Sequence, residues 1–198
     1  PYWIKNHLSD IKDSKIRKIL VDILEDFKNI SNVLLNLESQ WTHNDLNDQN
    51  LLVNCNGVNL PEISGILDFG DLAFCPRICN IAICSAYLLI LPDVGIEKQL
   101  LFLQGYHLKN PISENELDIL YTLILVRIAV SYVNSIVMSK NKPDDSYVVI
   151  SQNDTKNFLL SMRENKDFIT ARFRDSCGFS PIRSSNEDEE FLNSNINN

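Results

Sequence analysis

The N-terminal part of the chain carries apolar residues at steps of three and four positions. Between Ile11 and Leu37 they alternate with Lys, Asp and Glu, which is the pattern of an amphipathic helix that lays one face against a core. Ser9 and Asp10 stand just before this segment, and either side chain could cap the helix. The pattern predicts a packing helix over Ile11–Leu37, preceded by a short turn.

The stretch that follows loses this period and becomes dense in Asn and Asp. Residues Trp41–Gln49 show neither helical nor alternating spacing, and Asn and Asp favour irregular loops because they bond to their own backbone. Two β-prone runs come next, Asn50–Asn54 and Ile63–Leu67, with the tight-turn dipeptide Asn56-Gly57 between them. We expect the runs to pair antiparallel. Pro61 cannot donate to a strand ladder, so the register near the second run stays open.

Helical spacing returns after the second run and continues almost to the end of the chain. Pro92 and Pro111 mark joins, because proline cannot continue a helix. The third helix has the composition of a long core helix, with a possible break near its end. The predicted helices are Arg77–Leu91, Gly95–Leu108, Ser113–Lys140, Asp145–Ser161 and Glu164–Cys177. The pattern therefore predicts a mainly α fold with one small β-hairpin, followed by an acidic, disordered tail over 183–198.

Composition narrows the class of protein. A chain of 198 residues with 44% hydrophobic and 22% charged residues can form one domain with a buried core. A net charge of -8 argues against nucleic acid or an anionic membrane surface as the main partner. The longest apolar run, Ile78–Leu91, falls short of the roughly 20 residues that span a bilayer.

The termini and cysteines point to the cytoplasm. No basic region followed by an apolar one stands at the N-terminus, so no secretory signal is visible. The five cysteines have no C-x-x-C spacing, which disfavours a disulfide framework and a zinc site. We expect reduced thiols that pack as small apolar side chains.

Candidate chemistry lies in the polar loop and at the end of the second β-prone run. The spacing H-x-D-x-x-x-x-N is formed by His43, Asp45 and Asn50, and a D-F-G tripeptide begins at Asp68. Antiparallel pairing would bring Asn50 beside Asp68 across 18 positions. Phosphoryl transfer to a hydroxyl needs a carboxylate near the attacking oxygen and oxygen ligands for Mg²⁺. Asp45 is the candidate base, and Asn50 and Asp68 are candidate magnesium ligands; the alternative is a set of turn-forming residues.

These residues carry a family resemblance. The segments THNDLNDQNLLV and GILDFGD resemble the catalytic and metal loops of the aminoglycoside phosphotransferase and choline kinase superfamily, which has a protein-kinase-like fold. Within it, the hydroxylysine kinase family is similar in N-D-L-N-D-x-N and S-G-I-L-D-F-G-D, and in the later LVRIAVSYVNSIVMSKNKPDDSYVVI and RDSCGF. The resemblance implies that residues 1–182 form the C-terminal lobe of a protein-kinase-like α+β fold, with loops 41–71 at its centre.

The resemblance also implies an activity. Members transfer the γ-phosphoryl group of a nucleotide, with GTP the donor associated with hydroxylysine kinase and ATP the alternative, to the hydroxyl of 5-hydroxylysine. By position, Asp45 corresponds to the base, and Asn50 and Asp68 to the Mg²⁺ ligands. His43 corresponds to the residue that braces the loop.

Further residues have two interpretations each. Leu52 and Leu67 match positions that floor the nucleotide-base pocket, although strand residues of this kind equally belong to a core. Asp48 and Asp71 could attract the ammonium groups of a lysine-like substrate, or could be solvated loop residues. Arg127 could bind a substrate carboxylate, or could form a buried ion pair.

Two departures from the family pattern stand out. Asn80 occupies the start of the helix after the metal loop, where the superfamily has Asp or Glu. The six glycines form no phosphate-binding loop, and no strand-rich N-terminal lobe is visible, so we expect the chain to lack that lobe and to be inactive alone. Alternative functions are a kinase of another amino alcohol, such as choline, ethanolamine or an aminoglycoside, or a silent lobe that acts as a binding module.

Overall fold

The N-terminal segment folds into two helices joined by a short 3-10 turn. The computed structural model describes residues 1–55, 57, 60–91, 95–141, 155–162 and 165–182. Helix α1 spans Tyr2–Asn6, the 3-10 turn Leu8–Asp10, and helix α2 Ser14–Leu35. The predicted cap at Ser9 or Asp10 was wrong, since both lie in the turn. Asp13 caps α2 instead, where its Oδ1 accepts the N–H groups of Lys15 at 2.9 Å and Ile16 at 3.3 Å.

A two-stranded ribbon, which the sequence pattern did not predict, begins where the polar loop was expected to start. Strand β1 (Ser39–Thr42) pairs antiparallel with β4 (Ala73–Pro76). Trp41 lies opposite Phe74, with ring centroids 5.8 Å apart in an edge-on arrangement. The loop prediction was therefore wrong at positions 41 and 42, because the partner strand lies about 30 positions further along the chain.

The predicted hairpin is present. Strands β2 (Leu51–Asn54) and β3 (Glu62–Ile66) pair antiparallel, with Leu51 opposite Ile66. A bulge between Leu52 and Val53 leaves Ser64 as the extra residue of β3. The hairpin prediction is confirmed, with strand bounds shifted by one residue; its Asn56 turn residue lies outside the described residues.

Most of the described residues after β4 are helical, as predicted. The expected break in the third helix does not occur: it is continuous through Asn141. Residues 145–154, Glu164 and the tail 183–198 lie outside the described residues, so those parts of the prediction stay predictions. The helices are α3 (Ile78–Ile90), α4 (Gly95–Lys109), α5 (Glu114–Asn141), α6 (residues 155–162) and α7 (Lys166–Ser176). The mainly α fold class is confirmed, with a second small antiparallel sheet in addition to the hairpin.

Helix α5 is the centre of the core. It packs against α2, α3 and α7, and Leu120, Ile124, Ile128 and Val133 are fully buried along it. Among the described residues, only Glu114–Lys140 within α5 is long and apolar enough to cross a membrane, and 67% of its most apolar stretch is buried in the protein. A helix that is apolar on all sides and covered by neighbours behaves as a core helix.

An ion pair joins the start of α3 to the start of α5. Arg77 donates through Nε to Glu116 Oε1 at 2.7 Å and through Nη2 to Glu116 Oε2 at 2.9 Å. Its Nη1 donates to Asn110 Oδ1 at 2.6 Å. Burial alone would raise the pKa of Glu116, but the bonds from Arg77 and Ser113 outweigh it and lower that pKa. This pair fixes the helix that carries part of the site.

All five cysteines are free thiols. Burial raises the pKa of Cys79 to about 12 and that of Cys84 to about 11, so both are neutral at physiological pH. They pack within α3 as small apolar side chains.

Candidate active site

The loop after β1 is tied to the end of the hairpin by His43. Its ring is buried, with 8% exposure, and Nε2 lies 2.7 Å from the carbonyl oxygen of Leu67. The other ring nitrogen, Nδ1, accepts the backbone N–H of Asp45 at 3.3 Å. Because Nδ1 accepts, Nε2 carries the proton and donates to Leu67. His43 thus fixes Asp45 relative to the segment that leads into Asp68.

Asn44 makes the sharp turn between His43 and Asp45. Its φ of 63° lies in the left-handed region, which Asn tolerates better than most residues. Its N–H donates to Asn80 Oδ1 at 2.9 Å, and its side-chain Oδ1 accepts from Thr42 Oγ1 at 2.9 Å. The amide of Asn80 therefore supplies an acceptor to the loop at the position where the superfamily has a carboxylate.

Asp45 is held through one carboxylate oxygen by residues of two core helices. Oδ1 accepts from Tyr87 Oη of α3 at 2.9 Å and from Arg127 Nη2 of α5 at 3.1 Å. The same Nη2 donates to Tyr87 Oη, and the guanidinium carbon lies 5.0 Å from the centroid of the Tyr87 ring. Burial raises the pKa of Tyr87, with Asp45 acting in the same direction and Arg127 opposing it. The phenol is therefore a hydrogen-bond donor at neutral pH.

The second oxygen of Asp45 has weaker contacts. From the described residues, Oδ2 accepts only long bonds, from Asn50 Nδ2 at 3.3 Å and Asn47 Nδ2 at 3.4 Å. Asn47 also caps the 3-10 turn Asp48–Asn50, because its Oδ1 accepts two of the N–H groups of that turn. The loop is thus closed by side-chain amides, and Oδ2 is the less engaged oxygen.

Asn50 and Asp68 lie at the open end of the hairpin. Leu67 donates its N–H to the Asn50 carbonyl at 2.9 Å, so Asp68 directly follows the residue that faces Asn50. Asn50 Nδ2 donates to the Asp45 carbonyl oxygen at 2.8 Å, and Asn50 Oδ1 remains available as an acceptor. Asp68 has a φ of 56°, and its Oδ1 accepts the N–H of Gly70 at 3.2 Å.

This donor set fits magnesium. An amide oxygen and a carboxylate are hard oxygen ligands, and Mg²⁺ usually takes few protein ligands and completes its shell with water and phosphate oxygens. Within the described part of the chain, no group of three or more His, Cys, Asp or Glu is placed to hold a metal. Any ion held by Asn50 and Asp68 would therefore need further oxygen ligands, which water and phosphate can supply.

The remaining predicted site residues lie around this centre. Leu52 and Leu67 are 48% and 44% exposed, so neither lies in the core of the described part of the chain. Asp48 and Asp71 are also exposed, and the Asp71 carbonyl accepts from Asn44 Nδ2 at 3.3 Å. Arg127 forms an ion pair, as one interpretation expected, but with Asp45 itself and with about a quarter of each side chain exposed.

Sequence reasoning missed Tyr87. Its position carried a usable signal: Asn80 and Tyr87 are seven positions apart, which is two helical turns, so both lie on one face of α3. That face looks toward the loop, as the contacts to Asn44 and Asp45 show. Tyr87 also lines a cavity of about 320 Å³ between the hairpin and α3, together with Leu51.

Comparison with known proteins agrees with this geometry. The model of the phosphotransferase enzyme family matches residues 10–107, which include the loop, the hairpin, α3 and most of α4. Residues 10–107, just under half of the chain, are therefore similar to this phosphotransferase family. The matched region contains His43, Asp45, Asn50 and Asp68.

Several relatives carry the name hydroxylysine kinase. The protein of Danio rerio is 32% identical over 60% of this chain and 30% of its own length. The protein of Mus musculus is 26% identical over 75% of this chain and 41% of its own length, and that of Xenopus laevis 29% over 66% and 36%. The chain therefore spans less than half the length of these curated relatives.

Proposed function

We propose that residues 1–182 are the C-terminal lobe of a small-molecule kinase that phosphorylates an amino alcohol, with 5-hydroxylysine the preferred acceptor. The supporting observation is the placement of Asp45, Asn50 and Asp68 at one edge by the bonds of His43 and Asn50 to Leu67. The match of residues 10–107 to the phosphotransferase family supports the reaction class, and the names of the relatives support the acceptor.

The proposed reaction uses Asp45 as its base. The acceptor hydroxyl donates a hydrogen bond to the carboxylate, and its oxygen attacks the γ-phosphorus of the nucleotide. The bond from that phosphorus to the bridging oxygen breaks, and the nucleoside diphosphate leaves. The proton of the hydroxyl passes to Asp45, which has to be ionised at the start.

The proposed nucleotide site lies at the end of the hairpin. Asn50 Oδ1 and the Asp68 carboxylate would hold Mg²⁺, which when bound neutralises charge on the phosphates. Leu52 and Leu67 are exposed apolar residues on this side and would lie under the base of GTP or ATP. We propose GTP as the donor, with ATP the alternative.

The proposed acceptor is cationic. The net charge of -8 and the exposed carboxylates of Asp48 and Asp71 favour an ammonium-bearing molecule over an anionic one. Arg127 is the cation nearest the base, and it either stays on Asp45 or turns to a substrate carboxylate. These two roles of Arg127 predict different kinetics.

We further propose that an N-terminal lobe completes the enzyme, that the enzyme is cytoplasmic, and that this chain alone has no turnover. The hairpin supports the first point, since it leaves large apolar side chains exposed to solvent. Leu52 and Leu67 are 48% and 44% exposed, and neither lines the cavity between the hairpin and α3. A covering lobe would bury these two side chains.

The test is acceptor profiling of the full-length enzyme with GTP and ATP. We expect turnover with 5-hydroxylysine to exceed that with choline, ethanolamine and an aminoglycoside; equal rates would refute the choice of acceptor. Asp45→Ala should abolish phosphorylation while the thermal unfolding midpoint stays near that of the parent protein. Asp167→Asn, an exposed change in α7, is the matched control and should keep full activity. Activity retained in Asp45→Ala would refute the base, and no turnover by the full-length parent enzyme would favour a lobe that only binds.

A further inference from the structure

We infer that the two carboxylate oxygens of Asp45 have separate tasks: Tyr87 and Arg127 are positioning residues that hold Oδ1, and the acceptor hydroxyl delivers its proton to Oδ2. This inference rests on the proposed function and extends it to residues that the catalytic motif does not contain. It concerns which oxygen reacts and what fixes its direction.

Two hydrogen-bond donors hold Asp45 Oδ1. Tyr87 Oη at 2.9 Å and Arg127 Nη2 at 3.1 Å both point at this atom, and they contact each other. An oxygen that accepts from a phenol and a guanidinium has little lone-pair capacity left for a third donor. A substrate hydroxyl would have to displace one of them to reach Oδ1.

Oδ2 is free for a stronger donor. Its contacts with Asn50 and Asn47 are 3.3 and 3.4 Å long, beyond the usual range for an N–H donor to oxygen. Asn50 keeps a shorter bond of 2.8 Å to the Asp45 carbonyl, so it stays in place if a hydroxyl takes over Oδ2. The open oxygen is also the one on the side of Asn50, the candidate ligand for the metal and its phosphates.

The two donors are themselves anchored in the core. Tyr87 extends from α3 and Arg127 from α5, the two helices that pack most extensively on each other. Arg127 Nε is buried and has no hydrogen-bond partner among the described residues. A buried donor left unpaired costs stability, so this arginine is held in a position that serves Asp45 at the expense of its own hydrogen bonding. Positioning from rigid helices is what a precisely directed base requires.

Kinetics of the full-length enzyme test the inference. Tyr87→Phe and Arg127→Met should each lower kcat by about tenfold or more, because each removes a bond to a charged group, and KM should change less than about twofold. The double variant should lose little more than the worse single variant, since both act through Oδ1. Arg127→Lys should recover part of kcat, because it restores a cation. Tyr106→Phe, which loses a hydrogen bond to Asn110, and Arg172→Met, which loses an exposed ion pair, are matched controls.

The outcomes separate this inference from the proposed function. No turnover by the parent enzyme, or full activity of Asp45→Ala, would refute the proposed function and the inference with it. If Asp45 is essential, an unchanged kcat in Tyr87→Phe, or a large rise in KM alone in Arg127→Met, would overturn the inference only. A crystal structure with the acceptor and a non-hydrolysable nucleotide gives a direct answer: we expect the hydroxyl at Oδ2, and a hydroxyl at Oδ1 would overturn the assignment.

Discussion

Two arginine–carboxylate pairs in this protein differ in how completely they are bonded. Between α3 and α5, Arg77 meets both oxygens of Glu116, and the Glu116 side chain is only 6% exposed. At the candidate site, Arg127 meets one oxygen of Asp45 through one nitrogen, and both side chains are 23% exposed. The first pair is closed to any further partner, and the second leaves an oxygen open.

The difference shows how the same two functional groups serve structure or chemistry. A bidentate pair with its remaining donors satisfied is rigid and charge-assisted, and it gains nothing from a ligand. A pair bonded through one oxygen fixes a carboxylate in space while the other oxygen can still accept a proton. Completeness of hydrogen bonding, rather than the presence of an ion pair, distinguishes the two regions.

The largest effect is expected when each of the two arginines is replaced in turn. We expect Arg77→Met to lower the free energy of unfolding by about 3–5 kcal/mol, because it leaves the nearly buried Glu116 carboxylate without its partner. Arg127→Met should cost about 1 kcal/mol or less, because Asp45 keeps Tyr87 and contact with water. Urea unfolding followed by circular dichroism measures the free energy of unfolding of both variants. Equal losses of stability would contradict the distinction between the two ion pairs.

A second test uses pH. The pKa of Glu116 is lowered from its ordinary value of 4.5, so its contribution to stability is present above that value and is lost as pH falls through the lowered pKa. We expect the unfolding midpoint to decrease below about pH 4.5, and Glu116→Gln to decrease less over the same window. Asp10 and Asp13, whose pKa values are lowered by hydrogen bonds from Lys140 and Lys156, should leave a residual slope. Parallel curves for parent and variant would contradict this account.

The smallest expected effect concerns the bond between Asn80 and the loop. Asn80→Ala removes the acceptor of the Asn44 N–H, which should cost about 1 kcal/mol and reduce activity through a looser loop. Asn80→Asp keeps an acceptor at the same place and should retain the stability of the parent. Thermal unfolding and activity assays compare the two variants, and an equal loss in both would show that the amide has a different role.

The sequence predicts the locally determined parts of the fold. Periodic spacing identifies the helices, and the β-prone runs identify the hairpin, because each depends on neighbours close in the chain. The ribbon formed by Ser39–Thr42 and Ala73–Pro76 is different: two four-residue strands without alternation pair across a long separation. The cap of α2 was misplaced because three residues with capping side chains, Ser9, Asp10 and Asp13, precede the helix, and only the turn geometry selects among them.

The candidate site also has a part that local sequence predicts and a part that depends on long-range packing. Asp45 and Asn50 belong to a motif with fixed spacing, and the hairpin brings Asn50 beside the segment that leads into Asp68. Tyr87 and Arg127 come from helices 42 and 82 positions beyond Asp45, so their meeting depends on how α3 packs against α5. The motif therefore contains the candidate reactive groups and His43, which holds the loop, but not the donors that come from distant helices.

The left-handed backbone conformation at Asn44 and Asp68 limits which residues can occupy these two positions. At position 44 the conformation admits Gly, Asn or Asp with little strain, whatever the side chain does. At position 68 the proposed metal site also requires an oxygen ligand, so Asp and Asn satisfy both demands, and the longer Glu is disfavoured by the backbone conformation. The φ angles at Asn44 and Asp68 therefore restrict which substitutions these two positions tolerate.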